Sequence, residues 1–172
     1  MNKIYNISEL TPYINWLYFY HAWGLSGKPR EDKEKMKQEA LQMLASWEEK
    51  YHTRAIFRLF EVCSEGDDLI FFLPGTRFRF PMLRQQHPSA PGEPNLCLAD
   101  FIRPLSRGIR DQAGVFCTSV DGTIIDEYSH DDYLNMMAQT LSDRLAEATA
   151  EKLHEEVRKD RAYWGYAPDE NL

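Results

Sequence analysis

The sequence has little of several things that mark common functional classes. Its three cysteines, Cys63, Cys97 and Cys117, are odd in number and form no C-x-x-C pair, which points to reduced thiols and a cytoplasmic setting. The longest apolar runs, Ile14–Phe19 and Leu69–Leu73, are far too short to span a bilayer. Residues Met1–Asn6 carry no apolar h-region, so no signal peptide is expected. Five histidines (His21, His52, His87, His130, His154) are scattered, none three or four positions from another. The ligand spacing of known metal sites is therefore missing. There is no G-x-S-x-G, P-loop or G-x-G-x-x-G motif to suggest a nucleophile or a phosphate cradle. Basic charge is in deficit as well: the net charge is −7 and the pI near 5.2, which argues against a nucleic-acid partner.

What is present is an ordinary globular composition. In 172 residues, 43% are hydrophobic and 27% charged, enough chain for one domain with a core. The charge is unevenly placed. From Asp126 to Asp160 there are ten acidic and four basic residues, so this segment accounts for −6 of the total.

Ser8, or Thr11 followed by Pro12, is a candidate N-cap for the aromatic run that ends at Gly24. Tyr13, Trp16, Tyr18, Phe19, Tyr20 and Trp23 are dense enough there to be core or pocket lining. Glu31–Tyr51 has helical spacing through Met36, Ala40, Met43, Leu44 and Trp47. Strands are predicted at Arg54–Val62, Leu69–Leu73, Thr76–Phe80 and Gln112–Ser119, and a short strand or turn entering the core at Cys97–Ile102. A helix of roughly eight turns follows, about 45 Å long, starting at His130 with Ser129 as its cap. Its apolar stripe is Tyr133, Met137, Leu141, Leu145, Ala148, Leu153 and Val157. Tyr163, Trp164, Gly165, Tyr166 and Pro168 then read as a compact aromatic turn. The order of elements implies an α+β fold.

Along the long helix Asp143, Glu147, Glu151 and Glu155 recur every four residues as a column of like charge. Such pairs repel by a few tenths of a kcal/mol each. Arg144 is three residues from Glu147, whereas Glu151 has no basic residue at helical spacing. The column is either a solubilising face or a receptor for a cationic ligand or basic partner, whose binding relieves the repulsion.

The segment HDDYLNMMAQTLSDRLAEATAEKLHEEVRKDRAYWGYAPDENL (130–172) resembles the reactivation domain of cobalamin-dependent methionine synthase. WLYFYHAWGLSGK (16–28), GDDL (66–69), LRQQ (83–86), CLADFI (97–102) and AGVFCT (113–118) match that family in order. The resemblance spans residues 1–172 and implies a single C-shaped α+β domain: a twisted antiparallel sheet, flanking helices and one long C-terminal helix. The implied function is non-catalytic. The domain presents S-adenosylmethionine to oxidised cobalamin held by another module, while a flavodoxin or flavoprotein reductase supplies an electron. By resemblance, Glu147 lies near the bound S-adenosylmethionine. Asp143 faces the cobalamin module, accepting a hydrogen bond from the histidine released from cobalt.

Two departures modify that expectation. The family's early acidic ligand residue lies in an insert that is shortened here to Pro29-Arg30-Glu31-Asp32, leaving Asp32 as its equivalent. The family also continues past W-G-Y-A-P-x-E-N-L into G-I-R-P-A-x-G-Y-P, whose arginine, alanine and tyrosine contact S-adenosylmethionine. This sequence ends at Leu172, so weak or absent binding by this chain alone is expected. The alternative is a stand-alone interaction protein that docks a B12 protein or reductase without binding the nucleoside. A third reading, an enzyme using Asp143 and Glu147 as an acid/base pair, requires an enclosing pocket beside the helix.

Overall fold

A computed structural model describes residues 1–160, and the expected aromatic turn at 163–168 lies outside them. Two compact units are present among the described residues: Met1–Ile56 with residues 116–160, and Phe57–Val115. A five-stranded sheet has the order β1-β2-β3-β4, with β5 pairing β2. Its strands are β1 (Asn2–Asn6), β2 (His52–Glu65), β3 (Asp68–Leu73), β4 (Thr76–Pro81) and β5 (Asp111–Val120). The β1–β2, β2–β3 and β3–β4 pairings are antiparallel. With the helices below, this is the expected α+β class.

In the first unit, β1 lies on β2 in the register Asn2↔Ile56 to Asn6↔His52. The strand buries Tyr5 and leaves Ile4 exposed. The chain turns at once into α1 (Ile7–Leu10), with the Asn6 N–H donating to Glu9 Oε2 at 2.8 Å. A 3-10 turn, Thr11–Tyr13, carries Pro12 in its first turn. Ile14 and Asn15 are extended, so helix α2 (Trp16–Ala22) starts afresh. Its cap is Asn15, whose side-chain oxygen accepts from the Leu17 N–H at 3.1 Å, and neither Ser8 nor Thr11 serves. The Ser8 N–H donates instead to Glu48 at 2.6 Å, and the Thr11 hydroxyl donates to the Ile7 carbonyl at 3.0 Å. The aromatic run divides accordingly. Phe19 is fully buried with Trp16, Tyr20 and Trp23 rings around it at 5.4–6.3 Å. Leu17 and Tyr18 face outward.

Helix α3 (Arg30–Trp47) buries Ala40, Met43, Leu44 and Trp47. It ends four residues before Tyr51, because the Lys50 and Tyr51 N–H groups both close onto the Trp47 carbonyl. The Trp47 indole donates to the Tyr128 hydroxyl at 3.0 Å. Tyr128 follows a short helix, α4 (Thr123–Glu127).

Helix α5 (Asp132–Lys159) has 28 residues, about 42 Å at 1.5 Å per residue. It buries Met137, Ala138, Leu141, Leu145, Ala148, Thr149, Leu153 and Val157, close to the stripe read from the sequence. The expected cap does not hold. Asp131 accepts from the Leu134 N–H at 3.0 Å, while the Ser129 hydroxyl donates back to the Asp126 carbonyl. Ser129 belongs to the end of α4, one turn too early to reach α5.

The second unit is built on the β3–β4 hairpin, turned at Pro74-Gly75 with Gly75 at φ 76°. Val62, Leu69, Cys97 and Ala99 form its core, with Phe71, Met82, Ile102 and Ala113 packed around them. Residues 97–102 form the expected turn into the core, a 3-10 turn at Leu98–Phe101. Arg84 holds it in place with bonds to Asp67 and Asp100. That guanidinium, helped by the Cys97 N–H, draws the Asp100 carboxyl down to about 2.

Candidate functional site

The N-terminal segment meets α5 in the first unit through two kinds of contact. Tyr5 donates to Glu156 at 3.1 Å, and Tyr13 donates to Glu155. Lys152 places its ammonium 5.5 Å from the ring centroids of both Tyr5 and Tyr13 and 3.5 Å from Glu156. The acidic side of the helix is thus tied to aromatic side chains of β1 and the 3-10 turn. The hydrogen bond to Glu155, with some burial, pushes the Tyr13 phenol up to about 12. Lys159 and then Tyr13 hold the Glu155 carboxyl below its ordinary value.

One to two turns earlier on α5 lies an open groove of about 480 Å³, lined by Tyr13, Asn15, Tyr18, Glu147, Ala150 and Glu151. The position of Asn15 follows from its role as the α2 cap, and Tyr18 is exposed because Phe19 takes the buried side of that helix. Ala150, small and half-buried, leaves the floor low between the two glutamates. Arg144 donates to Glu147 at 2.7 Å, and its guanidinium carbon lies 5.7 Å from the Tyr18 ring centroid. The Arg144 side chain is 16% exposed and that of Glu147 56%, so the arginine lies along the surface and the carboxylate stands clear of it.

Two carboxylates beside tyrosine rings favour an organic cation. The carboxylates supply Coulomb attraction, and the ring faces supply cation–π attraction. Among the described residues the groove is open to solvent, without the enclosing pocket that tunes a catalytic carboxyl. The arrangement suits binding of a cation.

Of the three site residues named from the family resemblance, Glu147 lines this groove and Asp143 and Asp32 do not. Asp143 is exposed one turn before it, with no hydrogen-bonding or ionic partner among the described residues. Asp32 is exposed in the first turn of α3 and does not line the groove. The i,i+4 column had already marked Glu151, and the aromatic run had marked Tyr13 and Tyr18. Asn15 was missed, and the only signal for it was its capping residue type ahead of an aromatic stretch.

A larger concavity of about 750 Å³ lies between α1 and α3, lined by Ile7, Thr11, Trp16, Leu44 and Glu48 among others, and Glu147, Asp143 and Asp32 are not in its lining. Among the described residues no group of three or more His, Cys, Asp or Glu side chains is placed to hold a metal. No helix there is long and apolar enough to cross a membrane.

The family model for the activation domain of vitamin B12 dependent methionine synthase matches residues 6–172. A solved structure described as the MetH reactivation domain bound to AdoHcy is similar over 100% of this chain, with a TM-score of 0.83 and 34% sequence identity. The chain spans 58% of the length of that structure's chain.

Proposed function

The chain belongs to the family of vitamin B12 dependent methionine synthase activation domains, and from that premise we propose that its α5 groove presents S-adenosylmethionine to a cobalamin-binding partner module. In this reading the ligand's sulfonium and α-ammonium lie against Glu147, Glu151 and the tyrosine rings. A flavodoxin or flavoprotein reductase supplies one electron. That electron and the sulfonium methyl together return oxidised cobalamin to its methylated form, leaving S-adenosylhomocysteine. The cofactor stays with the partner.

The observation that carries the proposal is the groove itself: two carboxylates one helical turn apart, beside two tyrosines. Asp143, exposed one turn toward the N-terminus of α5, is free to accept a hydrogen bond from a partner's imidazole while the groove is filled. Ligand presentation and docking then use neighbouring turns of one rigid helix.

Calorimetric titration with S-adenosylmethionine tests the groove. Glu147→Gln removes one charge at nearly constant shape, and affinity is expected to fall about tenfold, the scale of one charge-assisted contact. An unchanged affinity removes Glu147 from the site. Capture of the cobalamin-binding module, with and without S-adenosylmethionine, tests docking: Asp143→Asn should weaken it. Docking that ignores the nucleoside altogether favours the alternative, an interaction protein on the same fold.

A further inference from the structure

The acidic column on α5 is not uniform in its partners. Glu155 is met by Lys159 and Tyr13, and beside the column Glu156 is met by Lys3 and Lys152. Arg144 meets Glu147. Glu151 has no hydrogen-bonding or ionic partner among the described residues, yet it lines the same groove as Glu147. The uncompensated negative charge of the groove therefore sits at Glu151, one turn past the residue that the family pattern singles out.

The neighbouring turns show what this surface accepts. On one side of the groove a lysine ammonium lies between Tyr5 and Tyr13, and on the other a guanidinium lies over Tyr18. Both flanking positions thus pair a cation with a tyrosine. The groove between them is bordered by Tyr13, Tyr18 and the Glu151 carboxylate, and among the described residues no lysine or arginine lines it.

We infer that Glu151 is the residue that receives a cationic centre of the ligand, while Arg144 holds the Glu147 carboxylate in place beside it. The inference rests on the reading that this groove takes S-adenosylmethionine, and it deepens that reading. The ligand carries a sulfonium and an α-ammonium three carbons apart, together with one carboxylate. Glu147 and Glu151, about 6 Å apart at their Cβ atoms as an i,i+4 pair, present two negative charges to the ligand's two cationic centres, with Arg144 paired to Glu147 outside the groove lining. Glu147 has its counter-charge already, so a bound cation gains more from Glu151, where no resident cation is displaced.

The test is an NMR titration of the 172-residue chain with S-adenosylmethionine and, in parallel, with methylthioadenosine, which keeps the nucleoside but is uncharged. Glutamine has nearly the helix propensity of glutamate, so Glu151→Gln should leave the amide spectrum of the free protein in place. The expected result is an S-adenosylmethionine affinity lowered about tenfold, with that for methylthioadenosine unchanged and partial recovery in Glu151→Asp. An unchanged S-adenosylmethionine affinity, or an equal loss for both compounds, overturns the assignment of Glu151. Weak binding is enough for this comparison; an unaltered chain whose amide signals do not shift even at millimolar S-adenosylmethionine overturns the reading of the groove, and the inference with it.

Discussion

Thr149 on α5 and Thr53 on β2 are each fully buried, and their hydroxyl oxygens lie 2.8 Å apart. The Thr149 hydroxyl is also 2.6 Å from the Leu145 carbonyl. A carbonyl only accepts and a hydroxyl has one proton, so a consistent arrangement has Thr149 donating to Leu145 and Thr53 donating to Thr149. This polar contact between helix and strand lies within an apolar face made by Leu145, Ala148 and Leu153.

The arrangement predicts an asymmetry. Thr149→Val strands the Thr53 hydroxyl away from water, costing about 1–3 kcal/mol. Thr53→Val leaves Thr149 its bond to Leu145 and costs less. The double variant should be more stable than the two single losses added together imply. Urea unfolding of the four proteins measures this, and additive losses would show that the two hydroxyls act independently.

A second comparison separates the two candidate caps of α5. Asp131→Ala removes the side chain that accepts from the Leu134 N–H, and is expected to cost about 1 kcal/mol, the usual worth of an N-cap. Ser129→Ala loses only the bond to the Asp126 carbonyl and should cost clearly less. Thermal unfolding of both variants decides it, and a larger loss at Ser129 would return the cap to that residue.

That cap shows where reading the sequence stops. The interiors of α3 and α5 were legible because apolar residues recur at helical spacing over many turns, and strands β2 to β5 because alternation and turn residues bound them. β1 was not legible: five residues with one buried ring, Tyr5, carry too little pattern, and only pairing with β2 makes them a strand. Pro12 fits a helix start and a 3-10 turn equally well, so the pattern alone does not divide the run that ends at Gly24. The break comes at Ile14, whose burial is a tertiary fact. At the site, the i,i+4 carboxylates could be counted from the sequence. Arg144 and Lys159 lie at helical spacing from Glu147 and Glu155, but the Tyr13 bond to Glu155 was not legible, since Tyr13 comes from the other end of the chain. The same holds for Asp32, which the family pattern suggested and whose place on α3 puts it outside the groove lining.

The bond from Tyr13 to Glu155 sets two pH windows of opposite sign. The phenol is raised from 10.0 to about 12, first by Glu155 and then by burial. A raised folded-state value means that its stabilisation is whole below pH 10 and is lost as pH climbs from there toward 12. The carboxyl is lowered from 4.5, first by Lys159 and then by Tyr13. Its stabilisation is whole above pH 4.5 and is lost as pH falls through the depressed value. NMR titration of the Tyr13 ring should therefore show ionisation well above that of a free tyrosine. Tyr13→Phe should move the Glu155 midpoint part of the way back toward 4.5, because Lys159 remains. A Tyr13 ring that ionises near pH 10, or a Glu155 midpoint that Tyr13→Phe leaves unmoved, would mean that this hydrogen bond does not persist in solution. The aromatic wall of the groove would then lack its anchor to α5.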